Sequence, residues 1–208
     1  LLKSKPKITK TNLVLKELDV SQLKKLLTVV KPSNFKSLLS NKIKGGRLIS
    51  EIELYFRENG SMENFIARGE VKNFKIEILN NFNFTNTNFN FFADNKDVLI
   101  KNISGNLEEI KITEGDIKLN FEDGTKFNSN FNSKINLNEQ IIKKYNFLFK
   151  KINFINKIKI FDANFNNNLS IDFDPTYKIK NYNYSINGEL ERGELELSKP
   201  IQNIFIYI

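Results

Sequence analysis

Few residues in this chain could do chemistry. Asp172 and Asp174, with Asp162 earlier in the chain, come closest to a paired-carboxylate ligand set for Ca²⁺ or Mg²⁺. They sit on the polar parity of an alternating run beside Asp174-Pro175, a turn signal, so solvent-facing acids account for them. Glu108 and Glu109 are adjacent; within a strand they point to opposite faces and cannot serve one site as acid and base. Gly45-Gly46 is not followed by a phosphate-loop pattern. Tyr182 and Tyr184 beside Lys178 and Lys180 have the make-up of a single-stranded nucleic-acid face, but a Lys-rich, Phe-rich chain produces such groupings readily. With no Cys and no His, the chain has no disulfide, thiol nucleophile, His-based triad or His metal site. The expectation is a protein that is not an enzyme and takes no cofactor.

The elements that would position any site are mostly strands. From Asp97 to Leu137, short alternating runs are punctuated by Gly105, Gly115 and Gly124, which read as turns. In the last run Phe127, Phe131, Ile135 and Leu137 share one parity with Ser129 and Ser133, while Asn128, Asn130, Asn132, Lys134 and Asn136 hold the other. Successive strand side chains point to opposite faces, so one face is oily and the other wet. Upstream, Leu48, Ile52, Leu54 and Phe56 alternate with polar or mixed residues, and Asn59-Gly60 signals a type I′ hairpin. The apolar parity then switches, from Val71 to Phe74, Ile76 and Ile78, which predicts a bulge near Lys72-Asn73. Phe89 and Phe91 mark a further strand. After residue 150, strands are expected over Lys157–Phe161, Phe165–Phe173, Tyr177–Leu190 and Glu194–Leu197, with Asn187-Gly188 and Arg192-Gly193 as turns or bulges.

Helical spacing appears in three places. Asp19 with Gln22 has the spacing of a capping box ahead of Val20, Leu23, Leu26, Leu27 and Val30. Phe35, Leu38, Leu39 and Ile43 form a second stripe, which Gly45-Gly46 would stop. Asn138 would cap a third, with Ile141, Ile142, Tyr145, Leu148 and Phe149. The fold class is therefore all-β, mainly an antiparallel meander, with about three short helices. Residues 1–46 read as a strand plus a helix pair, 47–137 as a meander, and 138–208 as a helix and a second meander continuous with the first.

The net charge of +8 is dispersed among acids; only Lys3, Lys5, Lys7 and Lys10 cluster, so nucleic acid is not expected as a partner. Phe, Asn, Lys and Ile share AT-rich codons, which explains the Phe- and Asn-rich composition without a prion-like role. No run approaches the ~20 apolar residues of a membrane-spanning helix. Ten or so strands offer a continuous band of Phe, Ile and Leu. Either the sheet closes on itself as a sandwich, or part of that face stays open to something long and apolar.

The stretch S37-L-L-S-N-K-I-K-G-G-R-L-I-S-E-I-E-L-Y-F, followed by N64-F-I-A-R-G-E-V-K-N-F-K-I-E-I, resembles the AsmA-like proteins of Gram-negative envelopes. V98-L-I-K-N-I-S-G-N-L-E-E-I-K-I and Y182-N-Y-S-I-N-G-E-L-E-R-G-E-L-E-L are similar to their recurrent phrasing of strand, glycine, next strand. The resemblance implies a twisted open β-groove that carries phospholipid acyl chains across the periplasm from inner to outer membrane. It also implies an inner-membrane anchor on a part of the parent protein that this segment does not contain. On that reading lipid tails would lie against Ile52, Leu54, Phe56, Ile76, Phe91, Ile100, Ile112, Leu119, Phe131 and Ile135. The alternative is a closed β-sandwich acting as a structural or adhesive module.

Overall fold

The computed structural model describes residues 8–22, 42–77, 82–122, 124–144, 155–176 and 178–197, the side chains of 144, 155–157 and 197 excepted. Among them nine strands form one antiparallel sheet in sequence order. They are β1 (Lys10–Asp19), β2 (Ile43–Phe56), β3 (Met62–Glu77), β4 (Asn83–Asp94), β5 (Asp97–Leu107), β6 (Ile110–Asn120), β7 (Thr125–Asn138), β8 (Ile155–Phe173) and β9 (Ile179–Leu197). Each pairs only with its sequence neighbours, and β1 does not meet β9. The sheet is open, so the closed sandwich is not what these residues form. The runs expected between Lys157 and Leu197 are two long strands of 19 residues each. Gly188 and Gly193 lie within β9, not in turns, and a one-residue register shift between Arg192 and Leu190 is the bulge nearby.

Among the described residues the helical content is small, since most of the three helical stripes lies outside them. One α-helix, α1 (Glu139–Lys144), and one 3₁₀ turn (Val20–Gln22) are present among the described residues, not about three helices. Asn138 does cap α1, its Oδ1 accepting from the amides of Gln140 and Ile141 at 3.0 Å each. Asp19 accepts from the Ser21 amide at 2.8 Å, a tighter local turn than a capping box. The rest of the first and third stripes, and the second up to residue 41, lie outside the described residues. Ile43, Gly45 and Gly46 belong to β2, so the glycine pair does not stop a helix. Gly46 has φ 140°, and a Cβ there would stand 3.0 Å from the Phe74 backbone. Close approach to β3 is what this glycine serves.

Turn chemistry explains the hairpins. Gly60 (φ 82°) closes the β2–β3 loop, donating to the Arg57 carbonyl at 2.9 Å while Arg57 donates to Ser61. Only the glycine takes positive φ there, so the loop is a three-residue turn with a left-handed glycine and not type I′. Asp94 joins β4 to β5 by accepting from the amides of Lys96 and Asp97, both at 2.8 Å. Glu108 and Glu109 are the turn between β5 and β6, since Leu107 pairs with Ile110; they are not strand residues on opposite faces. Gly105 and Gly115 are strand residues, not turns. A Cβ on Gly105 would come within 2.6 Å of Thr87 Oγ1, and one on Gly115 within 2.9 Å of Ile103 Cβ. They are glycines because neighbours crowd them on the apolar side.

The sheet has a second organising feature, a line of bulges. Asn73 (φ 52°), Asn86 (φ 51°), Asn102 (φ 57°) and Glu114 (φ 52°) each sit at a register shift, in β3, β4, β5 and β6 in turn. Gly46 holds the same level in β2. The expected bulge near Lys72-Asn73 is therefore one of a row. Asn tolerates the left-handed region because its short polar side chain bonds locally. The next strand satisfies the freed amides: Asn73 N donates to Asn88 Oδ1 at 3.1 Å, and Asn102 N to Asp116 Oδ1 at 3.2 Å. A bulge bends its strand and tightens the twist, so a row of them bends the sheet along one line. Asn102→Gly should leave stability within about 0.5 kcal/mol, whereas Asn102→Val should lose about 1–2 kcal/mol. Urea midpoints at constant slope measure both, and equal losses would contradict a left-handed residue at this position.

Candidate functional site: one apolar face across nine strands

Register settles which side chains share a face. Leu13, Ile52, Ala67, Ala93, Val98, Leu119, Phe127, Ile171 and Tyr182 stand side by side from β1 to β9. The next row on that face is Leu15, Ser50, Gly69, Phe91, Ile100, Ile117, Ser129, Leu169 and Tyr184. Across the bulge line a third row runs Ile43, Ile76, Phe84, Leu107, Ile110, Ile135, Ala163 and Leu190. Each bulge shifts the apolar parity by one residue, and the sequence shifts with it, so the oily face is unbroken.

All ten residues expected against lipid lie on this face. Ile52 and Leu119 are in the first row, with Leu54 and Phe56 continuing along β2. Phe91 and Ile100 pair in the second; Ile76 and Ile135 are in the third; Ile112 stands opposite Ser133; and Phe131 lies between Ser129 and Ser133 on β7. Their accessibility differs. Ile112 is only 6% exposed and belongs to the packed interior, with little surface to offer a ligand. Ile76 and Phe91 pack against the cluster of Val20, Ile43, Leu48 and Val71, and Ile135 against Leu137, Ile142 and Ile158. All but Ile112 are half-buried.

The face holds more than those ten residues. Phe74 and Phe89 meet edge to face, centroids 5.7 Å apart at 88°, beside the bulge line. Polar residues stand among the oily ones: Thr87 is 1% exposed and Asn167 3%. Asn167 is satisfied on all sides, its amide donating to Ser133 Oγ (3.0 Å) and the carbonyls of Phe131 and Phe165, and its oxygen accepting from Tyr184 OH (2.8 Å). Parity alone could have flagged Asn167, since it keeps step with Phe165 and Leu169.

The opposite face is wet. Asn130 donates to Asn168, Asn168 to Asn166, Asn166 to Asn132, and Asn132 to Glu114, a chain of amides across β6, β7 and β8. Such runs of aligned dipoles reinforce one another. Ion pairs cross the strands as well, Arg68 to Glu51 at 2.8 Å and Lys101 to Asp116 at 2.6 Å. Exposed pairs of this kind contribute little singly. No three Asp or Glu among the described residues converge on a metal position. Asp162 and Asp172 lie about 33 Å apart along β8. Asp174 is engaged in its turn, accepting from the Thr176 amide and hydroxyl and from the Lys178 amide. Tyr182 and Tyr184 belong to the apolar rows. No helix among the described residues is long and apolar enough to cross a membrane.

Charge pairing on the wet face sets the acid response. Hydrogen bonds from Lys101 and the Asn102 amide hold the Asp116 carboxyl below its ordinary 3.8, and those from Thr176 and Lys178 do the same for Asp174. Tyr55 and Lys10 lower Glu53 below 4.5. A carboxyl with a depressed folded pKa contributes stability that is complete above its ordinary value and is lost as pH falls through the folded one. Melting temperature should therefore be level from about pH 5.5 to 8, where no His titrates, and fall below about pH 4. Asp116→Asn should melt below wild type at neutral pH, with the gap closing on acidification; a constant gap would sever the link to Lys101. No protein-family model matches the chain, no curated protein matches it, and no solved structure matches it.

Proposed function

We propose that the apolar face is an open groove for phospholipid acyl chains. On this reading the chain is a periplasmic, non-enzymatic segment of an AsmA-like protein, serving inner-to-outer membrane lipid transport and outer-membrane biogenesis, with the inner-membrane anchor on the parent protein. The supporting observation is one continuous oily face across nine strands, with no second sheet packed on it among the described residues. The sheet is about 38 Å wide at ~4.8 Å per strand interval, against ~15 Å for one leaflet of acyl chains. The bulge line would form the floor and the half-buried Leu54, Phe56, Ile100, Leu119 and Phe131 the walls.

The mechanism is desolvation. Acyl chains displace water from the face at about 0.8 kcal/mol per buried methylene. Such binding has no direction of its own, so a tail can slide along equivalent rows. Headgroups, which keep their water, stay outside near Lys and Asn. The polar groups on the floor fit this role because Asn167 and Ser133 bond to each other and to the backbone.

Purified protein should carry phospholipid detectable by mass spectrometry. In Phe131→Lys the lysine stem can lie along the groove while its head reaches water, so the fold should survive with a loss of roughly 1–3 kcal/mol. Bound lipid should drop several-fold, because the acyl path now crosses a charge. Wild-type protein free of lipid, together with a Phe131→Lys chain that cannot fold, would show that the face is ordinary core.

A further inference from the structure

We infer that β9 is a self-association edge, joining a second copy of this chain across a two-fold axis normal to the sheet. Every described residue from 178 to 196 is exposed, although β9 is one of the two longest strands. Its groove-side residues include Tyr182 (70% exposed), Ile186 (46%) and Leu190 (55%). No further strand pairs with it among the described residues, and an edge this long is a template for another strand.

The sequence of β9 matches its own reversal. Between the register shifts at its two ends, residues 182–190 alternate without interruption. An antiparallel copy centred on Ile186 sets Tyr182 against Leu190 and Tyr184 against Gly188, all on the apolar side. A Tyr laid across a strand glycine covers backbone that would otherwise be bare. On the wet side Asn183 meets Glu189, and Ser185 meets Asn187. The ends are complementary in net charge: Lys178 and Lys180 precede the apolar stretch, while Glu189, Glu191, Glu194 and Glu196 follow or close it. This register sets Lys178 against Glu194, and Lys180 against Arg192. Antiparallel pairing brings the basic end of one copy to the acidic end of the other. Glu191 and Glu194 already face Lys134 and Lys159 at 3.8 and 3.1 Å, so the ends steer the encounter more than they grip.

Symmetry separates this partner from the other edge. β1 and β9 run in the same direction in a nine-strand meander. Antiparallel pairing of β9 with β1 of another copy would therefore turn the two oily faces to opposite sides. A two-fold normal to the sheet keeps both faces on one side and closes the assembly at two copies. The inference does not rest on lipid binding; if both hold, one groove spans eighteen strands.

Light scattering on the full chain should give twice the 24.2 kDa chain mass, with the dimer weakening as salt rises. The chain has no Cys, so Ile186→Cys, placed on the axis, should oxidise to a linked dimer, while Val14→Cys on β1 should not. Ile186→Lys sets two ammonium groups opposite each other and should raise the dimer dissociation constant about tenfold or more, with an unchanged circular dichroism spectrum. A wild-type chain that stays monomeric would overturn the inference. So would a dimer in which Val14→Cys crosslinks and Ile186→Cys does not.

Discussion

The structure depends on alternation surviving the bulges. In a strand, one inserted residue turns every following side chain to the other face. Five consecutive strands here carry such an insertion at one level. If only the backbone bulged, half of each strand would present Asn and Lys to the oily side. The sequence shifts parity at the same points, from Val71 to Phe74, from Ile100 to Ile103 and from Ile112 to Gly115, so backbone and side-chain irregularities cancel. The row is held from the wet face, where Asn88 and Asp116 take up the freed amides of the neighbouring strand.

This arrangement gives one layer two environments. Near the bulge line, Val71, Ile103 and Ile112 are buried with neighbours from adjoining strands and serve as core. Away from it the same face is half-buried, as at Ile52 and Leu119. A single open layer stabilises itself only locally, since each strand touches its sequence neighbours, and the 3₁₀ turn at Val20 and α1 at Ile142 seal two places. The half-buried remainder supports the groove reading: it is long and mostly oily, and Asn167, Ser133 and Tyr184 on it already bond to one another.

Much of this was legible in the sequence, because period-two alternation is a strong signal and all ten face residues obey it. The Asn73 bulge was readable from the parity switch at Val71 to Phe74. Its companions were not, because Asn86 sits in a run of alternating Asn and Thr, and Glu114 is not a residue that signals positive φ. Gly105 and Gly115 misled because a glycine in a strand looks like a turn until the crowding by Thr87 or Ile103 is seen. The Glu108-Glu109 turn was hidden for the opposite reason: it has no turn residue, and Leu107 and Ile110 pair across it. Asn167 is masked by its place in a run of three Asn, although its parity sets it on the oily side.

The most direct test of the open face uses two adjacent residues. Phe91 lies on the groove side, and Phe92, 38% exposed, lies on the wet side. A photo-crosslinking phenylalanine analogue at each position, activated in cells, reports which face meets lipid. The account predicts phospholipid adducts at 91 and none at 92. Equal labelling, or none at 91 in a folded protein, would contradict it.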